Sequence, residues 1–267
     1  GYLAYEEPVN AVRAVAALAG FRRHFDRQDA PPPGIDLPRL PRSDGPLSEF
    51  DALHFLKAAG LPVIEERLVD SPAQAHEAAQ ALGFPVVLKV ADPGVLHKTE
   101  VGGVALGLAS REALAAAYAA MAERVAARTG RKVERFIVAP MIADGVECVL
   151  GVHRDAAFGP CVMFGLGGIF VEALGDVVFR AAPFGLDEAH RMIREVRALR
   201  ILEGVRGRPP ADIDALALAL ARLSVLAASL GDAIESIDVN PFLVRPKGQG
   251  AVALDALVIP VKKANSE

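Results

Sequence analysis

A lysine stands inside an apolar strand at Val86-Val87-Leu88-Lys89-Val90. Strand alternation puts Val86, Leu88 and Val90 on one face and Pro85, Val87 and Lys89 on the other. A cation in a strand interior is costly unless it meets an anion. Phosphate is the obvious anion, and the plainer alternative is an edge strand whose lysine snorkels to water. A loop carrying His97 beside Lys98 follows, and Gly102-Gly103 opens the next strand.

Composition narrows what such a lysine serves. The chain has 267 residues, 52% of them apolar and 23% charged, enough for a large core in one or two domains. A net charge of −4 gives no electrostatic case for a nucleic-acid or anionic-membrane partner. Cys148 and Cys161 lie in apolar surroundings without metal-ligand spacing, as reduced thiols of a cytoplasmic protein do. Neither a membrane-spanning run nor a signal-peptide pattern is read from the sequence. The chain starts at Gly1 without Met, and the expectation is a processed or excised piece of something longer.

The order of elements bounds the fold. Residues 1–29 hold a helical pattern begun by Pro8, and prolines from Pro31 to Pro46 read as a linker. Ser48 and Ser71 are placed to cap helices, the second with Pro72 at the first helical position. Strands are expected at 63–68, 85–90, 103–108, 134–140, 146–153, 160–164, 169–172, 177–181, 234–239 and 252–258. Long helices are expected after Ser110, Asp187 and Asp212. This order does not alternate strictly as βαβα, so an α+β fold of two lobes around a cleft fits better than a doubly wound sheet.

Several residues could carry chemistry. On a strand, Asp238 and Asn240 point the same way, and a hairpin turning near Lys247-Gly248 places Asp255 roughly opposite Asn240. Two carboxylates and an amide oxygen are hard donors suited to Mg²⁺ beside phosphates; the plainer alternative is a hairpin with polar residues on its solvent face, against which Asp255 interrupts the apolar run of residues 252–258. Gly165-Leu166-Gly167-Gly168 leads into a strand, so it is not a dinucleotide fingerprint; it is either an anion-binding set of backbone amides or a tight turn. Glu147 and Arg180 each sit in an apolar strand and could pair with each other. His97 is a solvated loop histidine or, beside two lysines, a phosphoryl acceptor.

These segments together resemble a known family. Gly60-Leu61-Pro62-Val63, Phe84-Pro85-Val86-Val87-Leu88-Lys89, His97-Lys98-Thr99-Glu100-Val101-Gly102-Gly103-Val104, Gly145-Val146-Glu147, Phe158-Gly159-Pro160, Phe164-Gly165-Leu166-Gly167-Gly168, Val171-Glu172 and Ile237-Asp238-Val239-Asn240-Pro241 match, in order, the ATP-grasp domain of the ADP-forming acyl-CoA synthetases, relatives of the succinyl-CoA synthetase β subunit. The resemblance implies an ATP-grasp fold, with a helical tail of a preceding CoA-ligase-type domain plus linker at 1–46 and the ATP-grasp domain at 47–267, its lobes at 47–135 and 136–267. It implies that Lys89 contacts nucleotide phosphates, that Ala139-Pro140-Met141 runs along the base, and that Glu147 belongs to the nucleotide site. Gly167 and Gly168 would add backbone amides. Asn240 and Asp255, with Asp238 nearby, would hold Mg²⁺, and His97 would take the phosphoryl group. The nucleotide is ATP or GTP. The partners are CoA-binding domains in cis or in a separate α subunit, which bring the carboxylic acid and CoA; oligomer formation is left open. A nucleotide-sensing regulatory module and another ATP-grasp carboxylate ligase are the alternative readings.

Overall fold

The computed structural model describes residues 4, 7–25, 27, 29–43, 45–92, 94–95, 98–130, 132–168, 175–205 and 207–261. Residues 1–31 form a unit of their own, containing helix α1 (Pro8–Phe25). Val9, Val12, Val15, Leu18 and Phe21 of this helix are exposed. Residues 32–267 form the second unit, which holds two sheets.

The smaller sheet has four antiparallel strands in the order β1 (Arg67–Val69), β4 (Phe136–Pro140), β2 (Val86–Val90), β3 (Val104–Leu108). Helices α3 (Pro72–Leu82) and α4 (Arg111–Thr129) cover one face. Ser71 and Ser110 cap them through Oγ, which accepts from the Gln74 and Ala113 amides. Val86, Leu88 and Val90 are fully buried in this core with Leu114, Met121 and Phe136. The alternation expected of the lysine strand is therefore realised, and Val87 and Lys89 face away from these helices.

The larger sheet runs β10 (Ala256–Pro260), β8 (Ile234–Val244), β5 (Val146–Asp155), β6 (Gly159–Leu166), β7 (Val177–Ala181), with β9 (Ala251–Ala253) also paired to β8. Helix α2 (Glu49–Ala58) packs beside β10, and α5 (Leu186–Arg194), the short α6 (Arg200–Glu203) and α7 (Ile213–Leu230) share the same core. Cys148, Leu150, Val152, Val162 and Phe164 point into that core. The alternate residues form an open face. The stretch Ile213–Ala233 is apolar and long enough to cross a membrane by composition alone, but α7 buries nine residues, Leu216 to Ala227, in the larger core.

Three expectations about elements change. The lobes do not divide at residue 135. β4 completes the smaller sheet, whereas α2 buries Leu53, Phe55 and Leu56 against the larger one. β4 and β5 thus lie in different sheets, and residues 141–145 cross between them. Second, the expected strand at 63–68 is reduced to β1, with Val63 making a lone bridge to Ala253. Third, α5 starts from Gly185 without a side-chain cap, and Asp187 lies in its first turn. The strand expected at 169–172 lies outside the described residues.

Candidate functional site

β8 and β10 are antiparallel neighbours, and the Asn240 amide donates to the Asp255 carbonyl at 3.2 Å. The hairpin therefore sets Asp255 beside Asn240, as its turn predicts. Asp255 sits in the break between β9 and β10, where the apolar run of residues 252–258 is interrupted. Asp238 and Asn240 alternate with buried Ile237 and Val239 and emerge on the open face of the larger sheet.

Asp238, Asn240 and Asp255 line a cleft of about 640 Å³ between the two sheets. Its other walls include Glu49 and Phe50 from α2, Lys98 and Thr99 from the loop after β2, and Ile137 from β4. A second hollow of about 360 Å³ on the open face shares Asp238 and Asn240 and adds Gly151, His153, Gly168 and Phe179. Asp238 and Asn240 thus stand where both hollows meet, and Asp255 lines the larger one.

Beneath the cleft lies a buried charge cluster. Glu49 is the first residue of α2, behind the Ser48 cap, where the helix N-terminus favours an anion. Its Oε1 accepts from Lys89 Nζ at 2.5 Å, and its Oε2 accepts from Lys98 Nζ. Lys89 also donates to the Leu254 carbonyl at 2.7 Å, and Lys98 stands 3.8 Å from Asp255 Oδ2. Side-chain exposure falls to 2% for Glu49 and is 12% and 13% for Lys89 and Lys98, so water screens these charges little. Burial opposes the Lys89 charge, but the Glu49 and Asp255 carboxylates and the hydrogen bond to Glu49 outweigh it and raise its pKa.

Glu66 completes the cluster without a bond. It is 7% exposed, and among the described residues neither carboxyl oxygen has a hydrogen-bond partner. Burial, then the charge of Glu49, push its pKa to about 8. Burial and Glu49 likewise raise Asp255 to about 6, and desolvation raises Asp238. Burial, joined at Glu66 and Asp255 by the Glu49 charge, thus makes the acids in and beside the cleft hold protons more tightly than free carboxyls do.

That arrangement fits Mg²⁺. Among the described residues no three His, Cys, Asp or Glu side chains are grouped closely enough to hold a metal alone. Two carboxylates and an amide form the partial shell that Mg²⁺ uses when phosphates and water complete it. A cation there would offset the burial and the Glu49 charge that raise Asp255.

The remaining expected site residues are distributed differently. Lys89 does not line the larger cleft; it sits under Lys98, which does. Ala139 and Pro140 end β4, and the Met141 amide is already engaged by the Pro85 carbonyl at 2.9 Å. None of these three lines either hollow. Glu147 is exposed, and in β5 it alternates with buried Cys148. Arg180 instead pairs with Glu188 at 2.6 Å and Glu195 at 2.5 Å, so the expected Glu147–Arg180 pair does not form. The reason is facial: Arg180 stands opposite buried Val162, on the helix-covered side of the sheet.

The Gly167 amide donates to the Glu147 carbonyl at 2.7 Å, and a Cβ on Gly167 would come within 3.1 Å of Glu147. Close strand approach thus accounts for Gly167, and its amide is not free for an anion. Gly168, at φ +64°, lines the smaller hollow. His97 lies outside the described residues. Sequence reasoning missed Glu49 and Glu66. Glu49 reads as an ordinary first-turn acid, and Glu66 is hidden in the charge run Glu65-Glu66-Arg67.

Comparison with known proteins decides the family. The family model described as "ATP-grasp domain" matches residues 40–259. The chain belongs to the ATP-grasp family. The β subunit of acetate–CoA ligase [ADP-forming] II from Pyrococcus furiosus is 42% identical over 212 residues, which cover 79% of this chain and 90% of that subunit. Acetate–CoA ligase [ADP-forming] I of Archaeoglobus fulgidus is 37% identical over 92% of this chain, but the match covers only 37% of that longer protein. Among solved structures, acetyl-coenzyme A synthetase 1 of Ca. Korarchaeum cryptofilum with coenzyme A and Ca-AMPCP superposes with a TM-score of 0.78 at 40% identity, covering 81% of this chain and 94% of that one. The same enzyme with coenzyme A and Mg-AMPPCP gives 0.70 at 38% identity, covering 82% and 93%. This ATP-grasp domain is therefore of the type found in ADP-forming acyl-CoA synthetases.

Proposed function

We propose that this domain binds Mg·ATP in the cleft between its two sheets and transfers a phosphoryl group within an ADP-forming acyl-CoA synthetase. The whole reaction is acid + CoA + ATP giving acyl-CoA + ADP + phosphate, reversibly. The observation that carries this reading is the meeting of Lys98, Asp238, Asn240 and Asp255 in one interlobe cleft. Phosphoryl transfer depends on positioning and charge neutralisation, which is what such a cleft offers.

In this reading Lys98, held by Glu49 beside Lys89, meets the phosphates, and Asn240 and Asp255, with Asp238 beside them, hold Mg²⁺. Bound Mg²⁺ supplies charge neutralisation at the phosphate oxygens. Glu147, Gly168 and the Ala139–Met141 crossover serve the nucleoside side. His97 precedes Lys98 in the chain and is assigned as phosphoryl carrier. There an imidazole nitrogen forms an N–P bond as the bond from the γ-phosphorus to the β,γ-bridging oxygen breaks, and ADP leaves with the electron pair. Acid and CoA reach the reaction through CoA-binding domains, supplied by a separate α subunit or by the same longer chain. A match spanning nine-tenths of a separate β subunit and one lying within a longer chain support both arrangements. The buried Cys148 thiol, whose pKa burial raises, fits a cytoplasmic setting.

The test is thermal denaturation with Mg·ATP and Mg·GTP, followed by trapping of label from γ-labelled nucleotide. A rise in Tm is expected with at least one nucleotide, together with an acid-labile, base-stable adduct that His97→Asn removes. No Tm change with either would sink the nucleotide reading, and an adduct persisting in His97→Asn would refute the carrier role.

A further inference from the structure

The two lysines of the cluster are held by one acid, and that acid comes from the other lobe. Lys89 and Lys98 belong to β2 and the loop that follows it, in the smaller lobe. Glu49 belongs to α2, which is packed in the larger core. Each Glu49 oxygen takes a different lysine. An ammonium has three donors. Lys89 spends two, on Glu49 and Leu254, and does not line the cleft. Lys98 spends one on Glu49 and lines the cleft beside Asp255.

We infer that Glu49 is a positioning residue for phosphoryl transfer: it gathers Lys89 and Lys98 across the lobe boundary and holds Lys98 toward the nucleotide's phosphates. This rests on the nucleotide reading of the cleft. Without the bridging carboxylate, two ammonium groups would repel at close range and a buried Lys89 would lack its counter-charge. Lys98 would then lose the contact that fixes its direction. Glu49 borders the cleft, but its side chain is only 2% exposed and each oxygen already accepts from a lysine, so it acts through the lysines. Glu66 does not substitute for it, because its oxygens reach no donor among the described residues.

The experiment compares the wild-type chain with Glu49→Gln and Glu49→Asp by calorimetric titration of Mg·ATP and of AMP. A residue that only supports the fold would weaken both ligands alike. A residue that sets the lysines changes the ratio of the two affinities. Glu49→Gln is expected to weaken Mg·ATP on the order of 10- to 100-fold, as loss of a charged hydrogen-bond partner does, with AMP affected far less. Glu49→Asp keeps the charge but not the reach and is expected to fall between. Unchanged or tighter Mg·ATP binding in Glu49→Gln would overturn the inference, the latter showing that Glu49 competes with phosphate. If Glu49→Gln does not fold, wild-type Mg·ATP affinity in Glu49→Asp overturns it equally. Absence of Mg·ATP binding in the wild type would count against the nucleotide reading itself.

Discussion

Two charge clusters of this domain use the same chemistry to opposite ends. Around Arg180, on the covered face of the larger sheet, Glu188 accepts from Arg180 at 2.6 Å and Arg191 at 2.7 Å, while Arg180 also reaches Glu195 at 2.5 Å. Burial pushes Glu188 up, but the two arginine hydrogen bonds outweigh it and leave its pKa lowered. Around Lys89 the Glu49 and Glu66 acids are more deeply buried, Glu66 has no hydrogen-bond partner among the described residues, and the pKa values of Glu66 and Asp255 are raised. The first cluster lies within one lobe and its acids are satisfied. The second spans two lobes and keeps acids that a cation or proton must neutralise. Unsatisfied charge at a cleft marks a functional site better than a well-paired network does.

The largest expected effect comes from breaking the buried cluster at its most enclosed member. Lys89→Ala leaves Glu49 without one of its two cations. It should cost about 3–5 kcal/mol in denaturant unfolding and abolish the Mg·ATP-dependent rise in Tm. A Tm rise equal to the wild type's would remove Lys89 from the account.

The pH dependence of the two clusters should have opposite signs. Glu66 has a folded pKa raised from 4.5 to about 8, so its contribution is whole below 4.5 and is lost as pH rises to 8. Glu66→Gln should flatten that fall in stability, by at most about 1.4 kcal/mol per pH unit. Glu188, with a lowered pKa, contributes stability above its ordinary range that is lost as pH falls through its folded value. Glu188→Gln should therefore reduce stability at neutral pH and soften acid unfolding. Matching slopes in the two variants, followed by urea titrations across pH, would contradict the contrast.

The smallest effect is expected at Glu195, half exposed at its side chain and bonded to Arg180. Glu195→Gln should cost about 0–1 kcal/mol and leave the Mg·ATP response intact. A lost response would mean the paired cluster is coupled to the cleft.

Much of this domain is legible in its sequence because local signals and tertiary structure agree. Ser48, Ser71, Ser110 and Asp212 cap the helices they precede, and the lysine strand alternates as written. The Asp238-Val239-Asn240 alternation and a hairpin return bring two acids and an amide to one cleft, which is a short-range inference. What is not legible depends on distant packing. Glu49 meets Lys89 across 40 residues, and nothing local separates it from any first-turn acid. The Arg180 partner was misjudged because strand alternation leaves open which face the helices cover. Assigning β4 to the smaller sheet required knowing that residues 141–145 cross between sheets rather than forming a hairpin. The roles proposed for Glu147 and His97 rest on family resemblance, since spacing alone does not distinguish them from solvated residues.

The central claim is that Asp238, Asn240 and Asp255 hold Mg²⁺ for a nucleotide facing the lysine cluster. The direct measurement is calorimetric titration of ATP into the chain with and without Mg²⁺, repeated on Asp255→Asn. The account predicts saturable binding that requires Mg²⁺ in the wild type and is lost in Asp255→Asn, whose ligand-free stability is equal or higher because a crowded acid is gone. Binding of ATP that is indifferent both to Mg²⁺ and to Asp255 would contradict it.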